Sequence, residues 1–326
     1  MRLTYRPMFR VQIHTSPREL DRLRPLWESL RKSGQGTIFQ DFDWNLLAAR
    51  TFSHREQPFV VSAVASFGVA IVPAALRRLD GTLRFLGEEL FDYRSFLYDG
   101  EEEVLQAAFA ALGETGKALE VVALRECDRR SLMEELELVP FSAAPSLNRA
   151  DISPEEFGAM HNRLGRNLRR FQRQGFELRV HTGQNSALLR SIYEKKAALD
   201  QASLFHDPLR IEFIQEAARL QPNRCEIFTL ECGPQLAAAL VTFREETIRR
   251  FYTCYFCSSY AKLSPAMTLI YEISRQSLAA GLDCDYLTGE QGYKLRLAMG
   301  AMPLYKLRAT PAQLAGLTET AVRLAG

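Results

Sequence analysis

Three consecutive segments decide the reading of this chain: Arg250-Phe-Tyr-Thr-Cys-Tyr-Phe256, then Ser258-Ser-Tyr-Ala-Lys-Leu-Ser-Pro-Ala-Met267, then Asp283-Cys-Asp-Tyr-Leu-Thr-Gly-Glu-Gln-Gly-Tyr-Lys294. The first is an aromatic strand pattern. The second ends in Ser264-Pro265, where a serine hydroxyl can accept from the first-turn amides and proline fits the first helical position. Ala266, Leu269, Ile270, Ile273, Ser277 and Ala280 then fall on one face at helical spacing, and Gly281 stands where a C-terminal cap belongs. A strand at 283–287, a loop, and a last strand at 302–308 complete the order strand, loop, helix, strand, loop, strand. A capped helix following a strand presents free amides and a positive dipole end, which is a physical site for a phosphate or pyrophosphate.

The residues that complete the pattern are Leu263, Ser264, Pro265, Asp285, Gly289, Glu290, Tyr293 and Lys294. On them the block resembles the C-terminal half of CelD/BcsL-like acyltransferases of the GNAT superfamily. Ala266 stands where that family prefers glycine, and Cys257-Ser258 replaces its usual acidic residue. The resemblance implies an α/β fold with a mixed sheet, in two tandem GNAT-like domains packed around a cleft. Fem-type aminoacyl-tRNA-dependent ligases share that arrangement.

The chain before this block fits such a plan. Its 326 residues suffice for two domains, and the division falls at 1–150 and 151–326, with Pro140 to Ser153 as the boundary. Residues 17–33 read as one amphipathic helix with Leu20, Leu23, Trp27 and Leu30 inward, capped by Ser16 and stopped at Gly34. A second helix begins at Asp43. Strands are expected at 59–64, 69–76, 82–86 and 119–124, and helices at 101–112 and near 129–137. In the second half, Ser153-Pro154 opens a helix over 154–174 with Phe157, Met160, Leu164, Leu168 and Phe171 as its apolar stripe. A strand at 176–181, helices at 186–200 and 208–220, and three antiparallel strands over 225–256 follow.

Arg163, Arg166, Arg170 and Arg173 recur at steps of three and four on the 154–174 helix, with Arg169 beside them and no acid among them. They form either a solvated basic face or a phosphate-binding one. The family carries a similar basic segment, matched here by Gly165-Arg-Asn-Leu-Arg-Arg.

Composition narrows the function classes. Hydrophobic residues make up 47% and charged residues 25%, an ordinary folded balance, and the formal net charge of +2 gives no global pull toward DNA or a membrane. No run reaches the ~20 apolar residues of a membrane helix, and the charged N-terminus is no signal peptide. A cytoplasmic protein without membrane insertion is therefore expected. Six scattered cysteines and five histidines lack metal-ligand spacing, so no metal is expected and the thiols are read as free. Serine-hydrolase, P-loop, zincin and dinucleotide signatures are missing.

The resemblance supplies the rest of the expectation. It implies an N-acyltransferase that uses acyl-CoA, acetyl-CoA by default, as co-substrate and a small-molecule amine, or an amine of a cell-envelope or polysaccharide precursor, as acceptor. Ser264, Ala266 and Met267 would hold the pyrophosphate, with Leu263, Tyr255 and Lys294 as further cofactor contacts. Tyr293 would protonate the departing thiolate, and Glu290 or Asp285 would deprotonate the amine. Asp285 reads equally well as a strand-end aspartate bonded to nearby backbone. Arg166 and Arg170 are substrate-side candidates, as are Asp92 and Tyr93, whose alternative is a turn aspartate beside a half-buried tyrosine. A tRNA-dependent transferase is disfavoured, because 182–222 holds two ordinary helices and no long helical arm. A scaffold that kept the fold and lost the cofactor site is the third reading.

Overall fold

A computed structural model describes residues 9–33, 36–130 and 136–324, and the chain divides into two compact units. The first comprises 1–142 together with 303–326, and the second 143–302. The sequence reading placed everything after 150 in the second half. The terminal strand and the Pro311–Leu324 helix belong instead with the first unit. Nothing local in their sequence announces which partner they pair with.

In the first unit, strands β1 (Arg10–His14), β2 (Glu56–Pro58), β3 (Val60–Ala65), β4 (Gly68–Val72), β5 (Ala74–Arg77), β6 (Leu83–Phe85), β7 (Leu97–Gly100) and β8 (Leu119–Arg125) are joined by the returning C-terminal strand. β1, β3, β4 and β7 form one antiparallel sheet. β2, β5 and β6 pair antiparallel in turn, and β6 runs parallel to β8. The expected strand at 69–76 is two strands, because Pro73 lacks the amide that would continue the ladder. The expected helix at 17–33 is likewise two, Pro17–Asp21 and Arg24–Lys32, separated just before Pro25. Ser16 caps the first with a reciprocal Glu19 contact, and Leu20, Leu23, Trp27 and Leu30 are all buried as their spacing required. The helix expected near 129–137 occupies Glu126–Arg130, and the rest of that span lies outside the described residues, as does Gly34.

The second unit is entered along β9 (Leu138–Leu147), a strand where the sequence suggested a linker. Pro140 and Pro145 gave that impression. A proline can sit in a strand where only its carbonyl is needed, and the Pro145 carbonyl accepts the Tyr286 amide at 3.0 Å. The helical region after Ser153 is again two pieces, Pro154–Met160 and Asn162–Arg173. Phe157 and Phe171 are buried, whereas Met160, at the break, is exposed. β10 (Glu177–Thr182), β11 (Cys225–Cys232), β12 (Gln235–Arg244) and β13 (Ile248–Phe256) form an antiparallel run. The helices Ser186–Leu199 and Pro208–Leu220 fall between β10 and β11.

After β13 comes the 15-residue helix Pro265–Ala279, buried almost all round, with Ala280 exposed rather than inward. Gly281, at φ +73°, closes it, and the Leu282 amide reaches back to the Ser277 carbonyl. β14 (Asp283–Asp285) pairs parallel with β13 and antiparallel with β9. The loop expected after it contains a short helix, Gly292–Leu297, before β15 (Gly300–Ala309), which crosses to the first unit and pairs antiparallel with β8.

Candidate functional site

The site is built where β13 loses its partner. β14 pairs with β13 only at Ile248, Arg249 and Arg250, while β12 accompanies β13 to Phe256 on the other side. Beyond Arg250 the second edge of β13 is therefore open. The Cys257 amide donates to the Ala237 carbonyl at 2.9 Å. By strand alternation Tyr255 also faces β12, and Cys254 and Phe256 turn their backbone groups to the open edge. The Cys254 carbonyl there accepts a bond from Lys196 Nζ at 3.4 Å.

A charged clasp marks where the strands part. Arg250, the last residue paired with β14, donates to Asp285 and to Glu245, and all three side chains are largely buried. Asp285 Oδ1 also accepts the Leu287 amide at 2.8 Å. Both oxygens of Asp285 are thus engaged, matching the strand-end alternative. Leu287 takes a left-handed backbone, φ +61°, as the chain turns away from β13.

The next element supplies donors. Ser258–Leu263 forms a 3-10 turn, and Ser264 follows in the left-handed region at φ 48°, ψ 60°. A side-chain cap needs extended backbone at that position, so the Ser264 hydroxyl makes none, contrary to the sequence expectation. The Thr268 amide reaches the Ser264 carbonyl at 2.9 Å, and Pro265 has no amide. The amides of Ala266 and Met267 are left without an acceptor among the described residues. A helical turn followed by a left-handed residue is a backbone nest, and with the dipole of a 15-residue helix behind it the end suits an anion.

The arginine helix is fastened to this end. Asn167, buried, donates from Nδ2 to the Leu263 carbonyl at 2.9 Å, and Tyr260 stacks edge-on against Phe171 and Phe176. Arg163 and Arg170 lie one turn either side of Asn167 on the same face, with Arg166 adjacent. Arg163, Arg166, Arg169, Arg170 and Arg173 are all exposed, and none has an acidic partner among the described residues.

Tyr293 and Lys294, on the short helix after β14, meet the open edge from the other side. Burial pushes the Cys254 thiol up, against the opposing pull of the Lys196 and Lys294 ammoniums and a hydrogen bond with Tyr293. Lys294 is itself buried and donates to the carbonyls of Leu287 and Thr288 at 3.3 and 2.6 Å, which pins the turn that carries Glu290. Glu290 is exposed. Tyr255 is buried, and burial together with the neighbouring Cys257 raises its hydroxyl. Of the sequence candidates, then, Leu263, Ser264, Ala266 and Met267 form the helix start, Arg166 and Arg170 are exposed on the helix bonded to it through Asn167, and Tyr293 and Lys294 lie at the strand edge.

Asp92 and Tyr93 belong to the first unit and have a different setting. Tyr93 is fully buried, its ring 6.0 Å from Phe39 within an aromatic cluster and its carbonyl bonded to Gln40 Nε2. It is core, not a solvent-facing lining residue. Asp92 is half-buried near Arg94. Asn167, Lys196 and the Arg250 clasp were not read from the sequence, because each acts on a residue at least 35 positions away. All six cysteines are free thiols, Cys254 and Cys257 included. Among the described residues there is no cluster of potential metal ligands and no helix long and apolar enough to cross a membrane.

Residues 158–295 match the family model described as acetyltransferase (GNAT) domain. No curated protein matches the chain. Among solved structures, FemX is similar over 97% of this chain and 99% of its own, with a TM-score of 0.59 at 9% identity. L-PGS from Bacillus licheniformis covers 90% of this chain and 96% of its own, with a TM-score of 0.58 at 10% identity. A tandem GNAT protein from the clavulanic acid biosynthesis pathway covers 93% and 99%, with a TM-score of 0.51 at 9% identity. The matched segment lies within the second unit, and the whole chain is similar in fold to these structures.

Proposed function

We propose that the protein is an N-acyltransferase that moves an acyl group from acyl-CoA, with acetyl-CoA as the simplest donor, to the amine of a small molecule or envelope precursor. One observation carries this reading: the unaccepted amides of Ala266 and Met267 stand at the start of a helix whose preceding strand has an open edge. The donor pyrophosphate accepts from those two amides. Arg166 and Arg170, on the helix anchored beside them, take the remaining phosphate of the donor's nucleotide end. Leu263 and Tyr255 line the path of the donor's thiol arm.

The thioester carbonyl then lies against the open edge of β13, where the Cys254 amide polarises it. The amine nitrogen attacks the carbonyl carbon, the carbon–sulfur bond breaks, and the leaving thiolate takes the Tyr293 hydroxyl proton. The amine's proton passes to Glu290 through water. Asp285, held by Arg250 and the Leu287 amide, takes no part in proton transfer. Lys294 positions the 287–290 turn through its two carbonyl bonds.

The test of the donor is calorimetric: acetyl-CoA is expected to bind the purified protein in the micromolar range. A titration without heat for acetyl-CoA and longer acyl-CoAs would remove the donor from the reading. For the chemistry, Tyr293→Phe is expected to lower turnover about 100-fold, the usual scale for losing a general acid, with acetyl-CoA affinity little changed. Unchanged turnover would exclude Tyr293 as the acid.

One observation favours a second reading, in which a charged tRNA is the donor. Five exposed arginines without acids are more than one small donor uses, and FemX shares the fold. Binding of charged tRNA in place of acyl-CoA would establish it.

A further inference from the structure

Lys196 is the basic residue at the open edge that the proposed chemistry leaves unused. It stands in the last turn of the Ser186–Leu199 helix and is half-buried. Among the described residues its only hydrogen bond is the 3.4 Å one to the Cys254 carbonyl, and it has no acidic partner there. An ammonium has three donor positions, so two of the three are unspent. The contrast with Lys294 is informative. That ammonium is spent on two carbonyls at 3.3 and 2.6 Å. A cation drawn partly out of water is best served by an anion or several acceptors, and half-buried Lys196 has one long bond.

The place matters as much as the charge. The Cys254 amide and carbonyl face the same open edge, so Lys196 Nζ lies within a few ångströms of where the reacting carbonyl rests in the proposed function. The donor's phosphates are bound elsewhere, at Ala266 and Met267 and along the arginine helix. What comes within reach of Lys196 is the acyl chain on one side and the amine acceptor on the other.

We propose that Lys196 binds a carboxylate carried next to the reacting centre, so that the reaction joins an acyl group to an amine one of which bears a carboxylate. This rests on the acyl-CoA reading. The carboxylate can come from a dicarboxylic acyl chain or from an amino-acid acceptor. A point-like ammonium on a flexible stem suits either.

Two arms separate the sources, both with the full chain. In the first, wild-type protein and Lys196→Met are titrated calorimetrically with CoA, butyryl-CoA and succinyl-CoA. In the second, CoA thiol release from acetyl-CoA is followed with a panel of amino acids and the corresponding amino-acid amides. The expected result is a preference of about tenfold for the carboxylate form in one arm. That preference should collapse in Lys196→Met and be partly kept in Lys196→Arg. Equal treatment of the two forms in both arms overturns the inference. So does a Lys196→Met protein that loses both forms alike, since that is a general effect on the edge and not carboxylate recognition. CoA that binds without any carboxylate preference removes this inference alone, whereas no binding of CoA itself removes the donor reading and this inference with it.

Discussion

Replacing Arg250 by alanine is expected to destabilise the second unit by about 3–5 kcal/mol, the scale for breaking a buried ion pair from one side. The guanidinium is 7% exposed and serves both Asp285 and Glu245. Removing it leaves two mostly buried carboxylates facing each other at the point where β13 and β14 separate. The measurement is urea unfolding, read as a shift in midpoint at constant slope. Replacing the three groups together, Arg250 by methionine, Asp285 by leucine and Glu245 by glutamine, should recover much of the loss, because no buried charge is then left without its counter-charge. A loss below about 1 kcal/mol for the single change would mean that the clasp behaves as a surface pair. The consequence for function is geometric: Arg250 is the last rung joining the two strands, so it sets where the open edge begins.

The second large effect concerns pH. Glu56, on β2 of the first unit, is 4% exposed, and its Oε2 has no hydrogen-bond partner among the described residues. Burial first, and then the nearby Glu88, push its carboxyl from 4.5 up to about 7, with Arg94 pulling the other way. Between those two values the folded protein keeps a proton that the unfolded chain has already lost. Glu56 therefore costs nothing below about pH 4.5, destabilises progressively up to about pH 7 and is level above it. A shift of this size corresponds to about 3 kcal/mol. Glu56→Gln is expected to be more stable than wild type by up to that amount at pH 8, with the difference vanishing toward pH 4.5. Urea midpoints of the two proteins across that range check it. A difference that stays constant with pH would show that Glu56 is ionised throughout.

How much of this was legible in the sequence depends on distance along the chain. The caps at Ser16, Ser153 and Gly281 are local, and each was readable from its own few residues. The strand–helix–strand order around 250–308 was readable too, because the periodicity changes sharply at Ser264-Pro265. β9 was hidden behind Pro140 and Pro145, although a proline can sit in a strand where only its carbonyl is needed, as Pro145 does. β1 and β7 were missed because short strands are defined by partners far away: β1 lies against β3, some 50 residues on. The arginine face at 163–173 was visible as a pattern. That none of its members meets an acid became visible only when the chain was folded. Ser264 was assigned the right place and the wrong device, since its backbone, not its hydroxyl, shapes the helix start. Tyr93 looked like a site residue because an Asp-Tyr pair carries no sign of burial, and its ring proved to be part of a core.

The central claim is that the amides of Ala266 and Met267 hold the donor's pyrophosphate, and a crystal structure with CoA bound tests it most directly. The expected result is a pyrophosphate oxygen at ordinary hydrogen-bond distance from both amides, with the thiol arm entering along the open edge of β13 past Cys254 toward Tyr293. CoA seated elsewhere, with those two amides left to water, would contradict it.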